Sequence, residues 1–186
     1  MTNVQHEVEL ALVIGRRAKG VPESEALSYV SHVAVFNDVS ARDMQKAARL
    51  RGDPWDLSKG IDTFGPMSVP VPIGGIDVQG LDLELRVNGE LRQSGNTRDM
   101  IFPVPRIVSY VSRYMTLEEG DVIATGTPEG VSEIRRGDLV RAEIRGVGSV
   151  SNRVVREGPL HDPASVSPRS SRDAIWNDQC SECRIF

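Results

Sequence analysis

The stretch LDLELRVNGELRQSG, residues 81–95, gives the strongest secondary-structure signal in the chain. Leucine and valine alternate with polar residues from Leu81 to Val87, which is the period-two pattern of a strand with one buried face. Asn88 and Gly89 follow, and this dipeptide favours a two-residue turn between antiparallel strands. The stretch therefore predicts a β-hairpin and directs the chain towards a fold with an antiparallel sheet.

Other segments indicate a β-rich chain with a few short helices. Apolar and β-branched runs predict strands within residues 8–15, 33–40, 121–131 and 138–155. Helical periodicity predicts short helices within residues 23–33, 41–52 and 104–115. Ser24 is the expected N-cap of the first helix. The last helix is expected to have one face packed against the core. That face comprises Val104, Ile107, Val108, Val111 and Met115.

Length and composition predict one folded domain with a tail. A chain of 186 residues suits a single domain, which we assign to residues 1–156. From Glu157 the sequence turns to serine, proline and charge without periodicity, so residues 157–186 are expected to be loop or disordered. Cys180 and Cys183 form one C-x-x-C in this tail, and without further ligands nearby they are expected to be an inert pair.

The charge balance excludes several classes of partner. The formal net charge is −4, with 22 basic and 26 acidic residues, so neither a nucleic acid nor an anionic membrane surface is an expected partner. No apolar stretch reaches the roughly 18 residues of a membrane span. No signal peptide is apparent, and we expect a cytoplasmic protein.

Three acidic residues lie in or beside apolar strands. Glu7 and Glu9 stand two apart, so in a strand their carboxylates point to the same face. Such carboxylates repel each other unless a cation lies between them or one is protonated, and Mg²⁺ is a suitable cation because it prefers oxygen ligands. The alternative is an edge strand with a solvated acidic face. Asp38, near the end of another predicted strand, offers a third oxygen ligand and favours the metal site.

Six blocks, taken together, resemble the fumarylacetoacetate hydrolase family. They are HEVELALVIG, FNDVSARDMQ, WDLSKGIDTFGP, VNGELRQSGNTRDMIF, LEEGDVIATGTPEGV and GVGSVSNRV. The similarity is greatest to the small members that act on acylpyruvates, oxaloacetate and diene-dioates in aromatic catabolism. It implies a β-rich α+β fold, a mixed β-sandwich or β-roll of the family's C-terminal-domain type with short helices. It also implies a homodimer and one Mg²⁺ or Mn²⁺ per subunit.

The resemblance also assigns roles to particular residues. The implied metal ligands are Glu7, Glu9 and Asp38. The implied substrate-binding residues are Arg42, Gln45, Lys59 and Thr127. Arg42 and Lys59 are also expected to be catalytic. The alternative for Arg42 is a plain ion pair with Asp38 or Asp43, and for Lys59 a solvated loop position.

The implied reaction acts on a 2-oxo acid or diacid through a metal-stabilised enolate. It is a C–C bond hydrolysis of acylpyruvates, a decarboxylation of oxaloacetate-like acids or a diene-dioate isomerisation. Relatives carry an upstream G-x-N-Y-x-x-H block, whose histidine helps to activate water in hydrolytic members. The sequence begins after that block, so an N-terminally truncated chain is expected.

Neither histidine of the expected domain matches that base. His6 is expected to face away from the metal, and His32 is expected to be a core histidine. Two hypotheses remain: a metal-dependent hydrolase or lyase, with isomerase chemistry possible, or a non-catalytic member that folds, dimerises and binds metal or ligand without turnover.

Overall fold

The structure is a computed structural model that describes residues 3–155 and the backbone of Arg184–Ile185. Its strands form two larger sheets and one two-stranded sheet, and its helices are few and short. The β-rich α+β prediction is confirmed. The predictions for residues 157–186, including the pair Cys180 and Cys183, lie outside the described residues apart from that short backbone segment.

Eleven strands are described. In chain order they are β1 Val4–Gln5, β2 Val8–Ile14, β3 Val30–Asn37, β4 Ser40–Ala41, β5 Val71–Pro72, β6 Asp82–Val87, β7 Glu90–Asn96, β8 Val122–Ala124, β9 Leu139–Ile144, β10 Gly148–Val154 and β11 Arg184–Ile185. Two α-helices accompany them, α1 at Arg42–Arg51 and α2 at Val104–Tyr114. Three 3₁₀ segments are Glu23–Tyr29, Asp56–Ser58 and Thr97–Asp99.

The predicted hairpin forms one end of the five-stranded sheet, whose order is β11-β10-β9-β6-β7. β6 and β7 pair antiparallel, with Val87 opposite Glu90. Asn88 and Gly89 both have positive φ, 52° and 86°, the backbone that this tight turn requires. The hairpin prediction is therefore confirmed.

The four-stranded sheet has the order β5-β3-β2-β8 and carries Glu9 on β2, with Glu7 directly before β2 and Asp38 directly after β3. β2 is a central strand, paired antiparallel to β3 on one side and to β8 on the other. All seven of its residues are buried. An edge strand with a solvated acidic face is therefore wrong for β2.

The two larger sheets enclose a shared apolar core. Alternate residues of β2 enter it: Val8, Leu10, Leu12 and Ile14. They meet residues of the other sheet, among them Leu83, Leu85, Val140, Ala142 and Ile144. Because a strand alternates its faces, the side chains of Glu7 and Glu9 lie on the face of the four-stranded sheet that turns away from this core.

The helix predictions are confirmed for two of three segments. α1 ends at Arg51 and is capped by Gly52, whose φ of 73° is the left-handed backbone of a helix C-cap. α2 buries Val104 and Val108. Met115 follows α2 and is exposed, so its core assignment is wrong. The first segment is a 3₁₀ turn preceded by Pro22, not a helix capped by Ser24. It ends at Tyr29 because Val30 already belongs to β3.

Among residues 3–155, no helix is both long and apolar enough to cross a membrane.

Candidate metal and substrate site

The three predicted acidic residues converge. One carboxylate oxygen from each of Glu7, Glu9 and Asp38 lies within 4.8 Å of the other two. The pairing of Val8 with Asn37 brings the start of β2 beside the end of β3. The backbone N–H of Asp38 donates to the carbonyl of Glu7 at 2.8 Å, which fixes the two chain segments together.

The carboxylates are withdrawn from solvent. Glu7 is 6% exposed and Glu9 is 3% exposed. The backbone N–H of Glu7 donates to Oδ1 of Asn37 at 2.9 Å, and the hydroxyl of Ser40 donates to Oε1 of Glu7 at 3.5 Å. Two buried acids beside the partly buried Asp38 require positive charge or protons, because isolated buried carboxylates are costly.

Lys59 supplies part of that positive charge. Its ammonium lies 3.0 Å from Oε2 of Glu7 and also donates to Oδ2 of Asp38. The 3₁₀ turn at Asp56–Ser58 brings Lys59 to this position, and its side chain is only 22% exposed. The solvated-loop alternative for Lys59 is therefore wrong.

Arg42 supplies the second positive charge from the first turn of α1. Its guanidinium forms an ion pair with Oε1 of Glu7. The ion-pair alternative from the sequence had named Asp38 or Asp43 as the partner. Its Nε donates to Gln5 at 2.8 Å and its Nη1 donates to Gln45 at 2.7 Å. Gln45, predicted to bind substrate, thus orients Arg42 in the structure.

Burial changes the protonation of the acidic residues. The pKa of Glu9 is raised to about 7, chiefly by burial and further by the negative charges of Asp38 and Glu7, while the N–H of Gly126 and the charge of Lys59 act to lower it. Burial likewise raises the pKa of Asp38, although its hydrogen bond to Lys59 acts in the opposite direction. Without a bound cation, the cluster therefore tends to retain a proton near neutral pH.

The ammonium of Lys59 is held in its charged form. Burial acts to lower its pKa, but the hydrogen bonds to Asp38 and Glu7 and their negative charges outweigh burial and raise it. Lys59 is therefore a cation at neutral pH, suited to stabilise an anionic oxygen and not to accept a proton.

The predicted substrate residue Thr127 lies in a loop beside Glu9. The loop follows β8, and the backbone N–H of Gly126 donates to Oε2 of Glu9 at 2.7 Å. Gly126 has a φ of 96°, a backbone that glycine adopts without strain. The hydroxyl of Thr127 donates to the carbonyl of Val8 at 2.8 Å. The loop thus runs against β2 at the position of the acidic residues.

The two histidines of the described domain have different environments. His6 is fully buried and faces away from the cluster, as predicted, with Nδ1 at 2.8 Å from Gln93 and Nε2 at 2.9 Å from Ser132. Burial lowers the pKa of His6. His32 lies in β3 opposite Val13 and is only partly buried, so the core-histidine prediction is wrong. Its neighbour Val33 belongs to the core, so strand alternation places the side chain of His32 on the opposite face of the sheet.

Sequence reasoning missed several residues that shape the site. They are Gln5, Asn37, Ser40, Gln93 and Gly126. Most act through single hydrogen bonds to a ligand residue or its neighbour, and such contacts leave no periodic signal in the sequence. Gly126 was visible as part of a glycine-rich loop, but the donor that matters is its backbone N–H, which every residue except proline carries.

Comparison with known proteins agrees with the fold and the acidic cluster. The family Fumarylacetoacetate (FAA) hydrolase C-terminal matches residues 1–155. Oxaloacetate tautomerase FAHD1, mitochondrial, of Arabidopsis thaliana is 49% identical over 157 residues, which cover 84% of this chain and 70% of that relative. The chain therefore belongs to the fumarylacetoacetate hydrolase family, a family of enzymes.

Solved structures of relatives share the fold. Fumarylpyruvate hydrolase from Pseudomonas aeruginosa, in complex with Mn²⁺ and pyruvate, superposes with a TM-score of 0.82 at 35% identity, over 84% of this chain and 68% of that one. The 2-hydroxyhepta-2,4-diene-1,7-dioate isomerase from Mycobacterium marinum superposes with a TM-score of 0.79 at 42% identity, over 85% and 61% of the two chains. Hydrolase and isomerase relatives therefore have the same architecture.

The residues of this chain fit a divalent cation. Glu7, Glu9 and Asp38 offer the hard oxygen donors that Mg²⁺ and Mn²⁺ prefer. Their burial and mutual repulsion favour the binding of positive charge. The N–H of Gly126 fixes one oxygen of Glu9, which is the kind of contact that orients a metal ligand.

Proposed function

We propose that this chain is a divalent-cation-dependent enzyme that acts on 2-oxo diacids such as oxaloacetate at the level of their enol or enolate. The observation that carries the proposal is the convergence of two buried carboxylates, a partly buried third and the ammonium of Lys59. The carboxylates would hold Mg²⁺ or Mn²⁺, and the residues around them would bind an anionic substrate.

The cation and the chain have separate tasks in this proposal. When bound, a divalent cation supplies Lewis-acid stabilisation for negative charge that develops on a 2-oxo group. Once a cation satisfies Glu7 and Asp38, the ammonium of Lys59 is available to donate to an anionic oxygen of the substrate. Arg42, oriented by Gln5 and Gln45, supplies a guanidinium suited to a carboxylate.

Reactions that need only enolate stabilisation are favoured. Decarboxylation of oxaloacetate qualifies, because carbon dioxide leaves once the resulting enolate is stabilised. Keto–enol tautomerisation also moves a proton between C3 and the 2-oxo oxygen, but neither reaction requires a base that activates water as a nucleophile. The identity of 49% to a protein named oxaloacetate tautomerase supports this choice. In the described domain, His6 is engaged at both ring nitrogens. His32 lies opposite Val13, about 13 Å along β2 from Glu9.

C–C bond hydrolysis of an acylpyruvate is the second candidate. It is favoured by the likeness to the fumarylpyruvate hydrolase structure, which contains Mn²⁺ and pyruvate. Hydrolysis requires a general base within reach of a water molecule.

We also infer a homodimer from the family resemblance, which light scattering would test.

Paired rate measurements distinguish these reactions. Purified protein is stripped with EDTA, reloaded with Mg²⁺ or Mn²⁺, and assayed on oxaloacetate and on an acylpyruvate. We expect cation-dependent loss of the oxaloacetate enol or release of pyruvate, with slower hydrolysis of the acylpyruvate. Faster acylpyruvate hydrolysis would favour the second candidate. The absence of cation-dependent turnover of either substrate would contradict the proposal and favour a non-catalytic chain.

A further inference from the structure

Gln93, a residue of the opposite sheet, reaches the chain between the two glutamates. It lies on β7 and is 1% exposed, and its side-chain amide takes part in four hydrogen bonds. The amide oxygen accepts from the backbone N–H of Val8 at 3.1 Å and from Nδ1 of His6 at 2.8 Å. The amide nitrogen donates to Oγ1 of Thr127 at 2.7 Å and to the carbonyl of Pro128 at 2.9 Å.

The chemistry of these groups allows only one orientation of the amide. The carbonyl of Pro128 can only accept, so the amide nitrogen must face it. The amide oxygen then faces His6, and Nδ1 of His6 must carry the proton. Nε2 of the neutral ring therefore accepts from the hydroxyl of Ser132. Every buried donor in this network has an acceptor.

The same reasoning determines what the hydroxyl of Thr127 can do. It accepts from Gln93 and donates its only proton to the carbonyl of Val8. It could donate to a substrate carboxylate only by breaking its bond to Val8. Gln93 and Thr127 together bind both backbone polar groups of Val8, the residue between Glu7 and Glu9.

The loop that contains Thr127 is fitted closely against β7. A Cβ atom on Gly95 would lie 2.9 Å from Cβ of Pro128. A Cβ atom on Gly130 would lie 2.2 Å from the carbonyl oxygen of Arg92. These two close approaches, on either side of Gln93, leave the loop no space to shift towards β7. The position of Gly126 is therefore tied to the amide of Gln93.

We propose that Gln93 is a positioning residue that acts through Thr127, whose hydroxyl fixes the loop against β2. Gln93 and Thr127 hold the loop so that the N–H of Gly126 orients Glu9 towards the cation. This inference rests on the proposed function, because it assumes that Glu9 is a cation ligand.

Calorimetric titration with Mn²⁺, followed by titration with oxalate at saturating Mn²⁺, tests the inference. The variants are Gln93→Leu, Thr127→Val, their combination and Thr127→Ser. We expect Gln93→Leu and Thr127→Val each to weaken Mn²⁺ binding by about tenfold or more, as is usual when a residue that orients a metal ligand is lost. The double variant should weaken Mn²⁺ binding by less than the product of the two single effects, because both residues act through one network. Thr127→Ser keeps the hydroxyl and should therefore retain the Mn²⁺ affinity of the wild-type protein.

Gln79→Leu is the matched control. The amide of Gln79 also joins two chain segments, donating to the carbonyl of Thr97 and accepting from the N–H of Val104 at 3.0 Å, but it lies outside the acidic cluster. This control should lower the melting temperature and leave Mn²⁺ affinity unchanged.

The possible outcomes separate the inference from the proposed function. Wild-type protein that binds no Mn²⁺ would overturn the proposed function, and the inference with it. If wild-type protein binds Mn²⁺ and Thr127→Val loses only oxalate affinity, the hydroxyl contacts the ligand and the inference is wrong. Unchanged Mn²⁺ affinity in both variants would likewise overturn it. If Gln93→Leu does not fold, the pair Thr127→Val and Thr127→Ser decides the question.

Discussion

The ammonium of Lys59 lies 3.0 Å from Oε2 of Glu7, although 52 residues separate them in the sequence. The same ammonium also bonds Asp38. In the metal-free protein Lys59 thus neutralises two of the residues that are proposed to bind the cation. Lysine and cation therefore compete for the same carboxylates.

Removal of this ammonium should strengthen cation binding. Two unit charges at 4 Å interact by about 4 kcal/mol at an effective dielectric constant of 20, and about 1.4 kcal/mol already corresponds to tenfold in affinity. We expect Lys59→Met to bind Mn²⁺ at least about tenfold more tightly and to melt at a lower temperature without metal. Lys46→Met, at an exposed lysine of α1, is the control. Weaker Mn²⁺ binding in Lys59→Met would contradict the competition.

The cation should stabilise the folded protein through Glu9. A ligand present at a hundred times its dissociation constant adds about 2.7 kcal/mol to the free energy of unfolding. Mg²⁺ or Mn²⁺ should therefore raise the melting temperature of EDTA-treated protein, and Glu9→Gln should abolish most of that rise. Glu129→Gln, at an exposed acid of the neighbouring loop, should retain it. A melting temperature that does not respond to either ion in the wild-type protein would argue against the site.

Stability of the metal-free protein should fall as the pH rises from about 4.5 to about 7. The pKa of Glu9 is raised from 4.5 to about 7 on folding, so the folded state binds more protons than the unfolded state in this interval. The free energy of unfolding should decrease by up to about 3 kcal/mol across it from this group. Urea denaturation with EDTA at several pH values measures the decrease.

Glu9→Gln provides the comparison for that pH series. Glutamine does not titrate, so the variant should lose the contribution of residue 9 and show a flatter dependence on pH. Saturating Mn²⁺ should have a similar effect on the wild-type protein, because a bound cation favours the ionised carboxylate. A pH dependence identical in wild type and variant would mean that Glu9 does not retain its proton.

Arg42 should be sensitive to a change that conserves its charge. Its guanidinium bonds Gln5, Gln45 and Glu7 with three different nitrogens, and a lysine cannot reproduce this planar set of donors. We expect Arg42→Lys to weaken oxalate binding in the presence of Mg²⁺ by about tenfold or more. Arg49→Lys, on an exposed part of the same helix, should have no effect. Calorimetry measures both, and equal oxalate binding in wild type and Arg42→Lys would remove Arg42 from the substrate site.

Much of the fold was predictable because its signals are local. The alternation of residues 81–87 and the Asn88-Gly89 turn specify a hairpin within fifteen residues. The segment of residues 23–33 was mispredicted because its helical periodicity competes with pairing between β3 and β2. A sequence window that ends at residue 33 contains no information about that pairing partner.

The sequence by itself determined that Glu7 and Glu9 share a face, because side chains of a strand alternate with a period of two. It also supplied Asp38 near the end of a strand and Arg42 at the start of a helix, whereas Lys59 was indicated only by the family resemblance. Only the tertiary structure decided that Lys59 bridges Glu7 and Asp38, and that Gln93 of the opposite sheet binds Val8 between the two glutamates. Such contacts depend on how two sheets pack, and sheet packing joins residues whose spacing in the chain follows no fixed period.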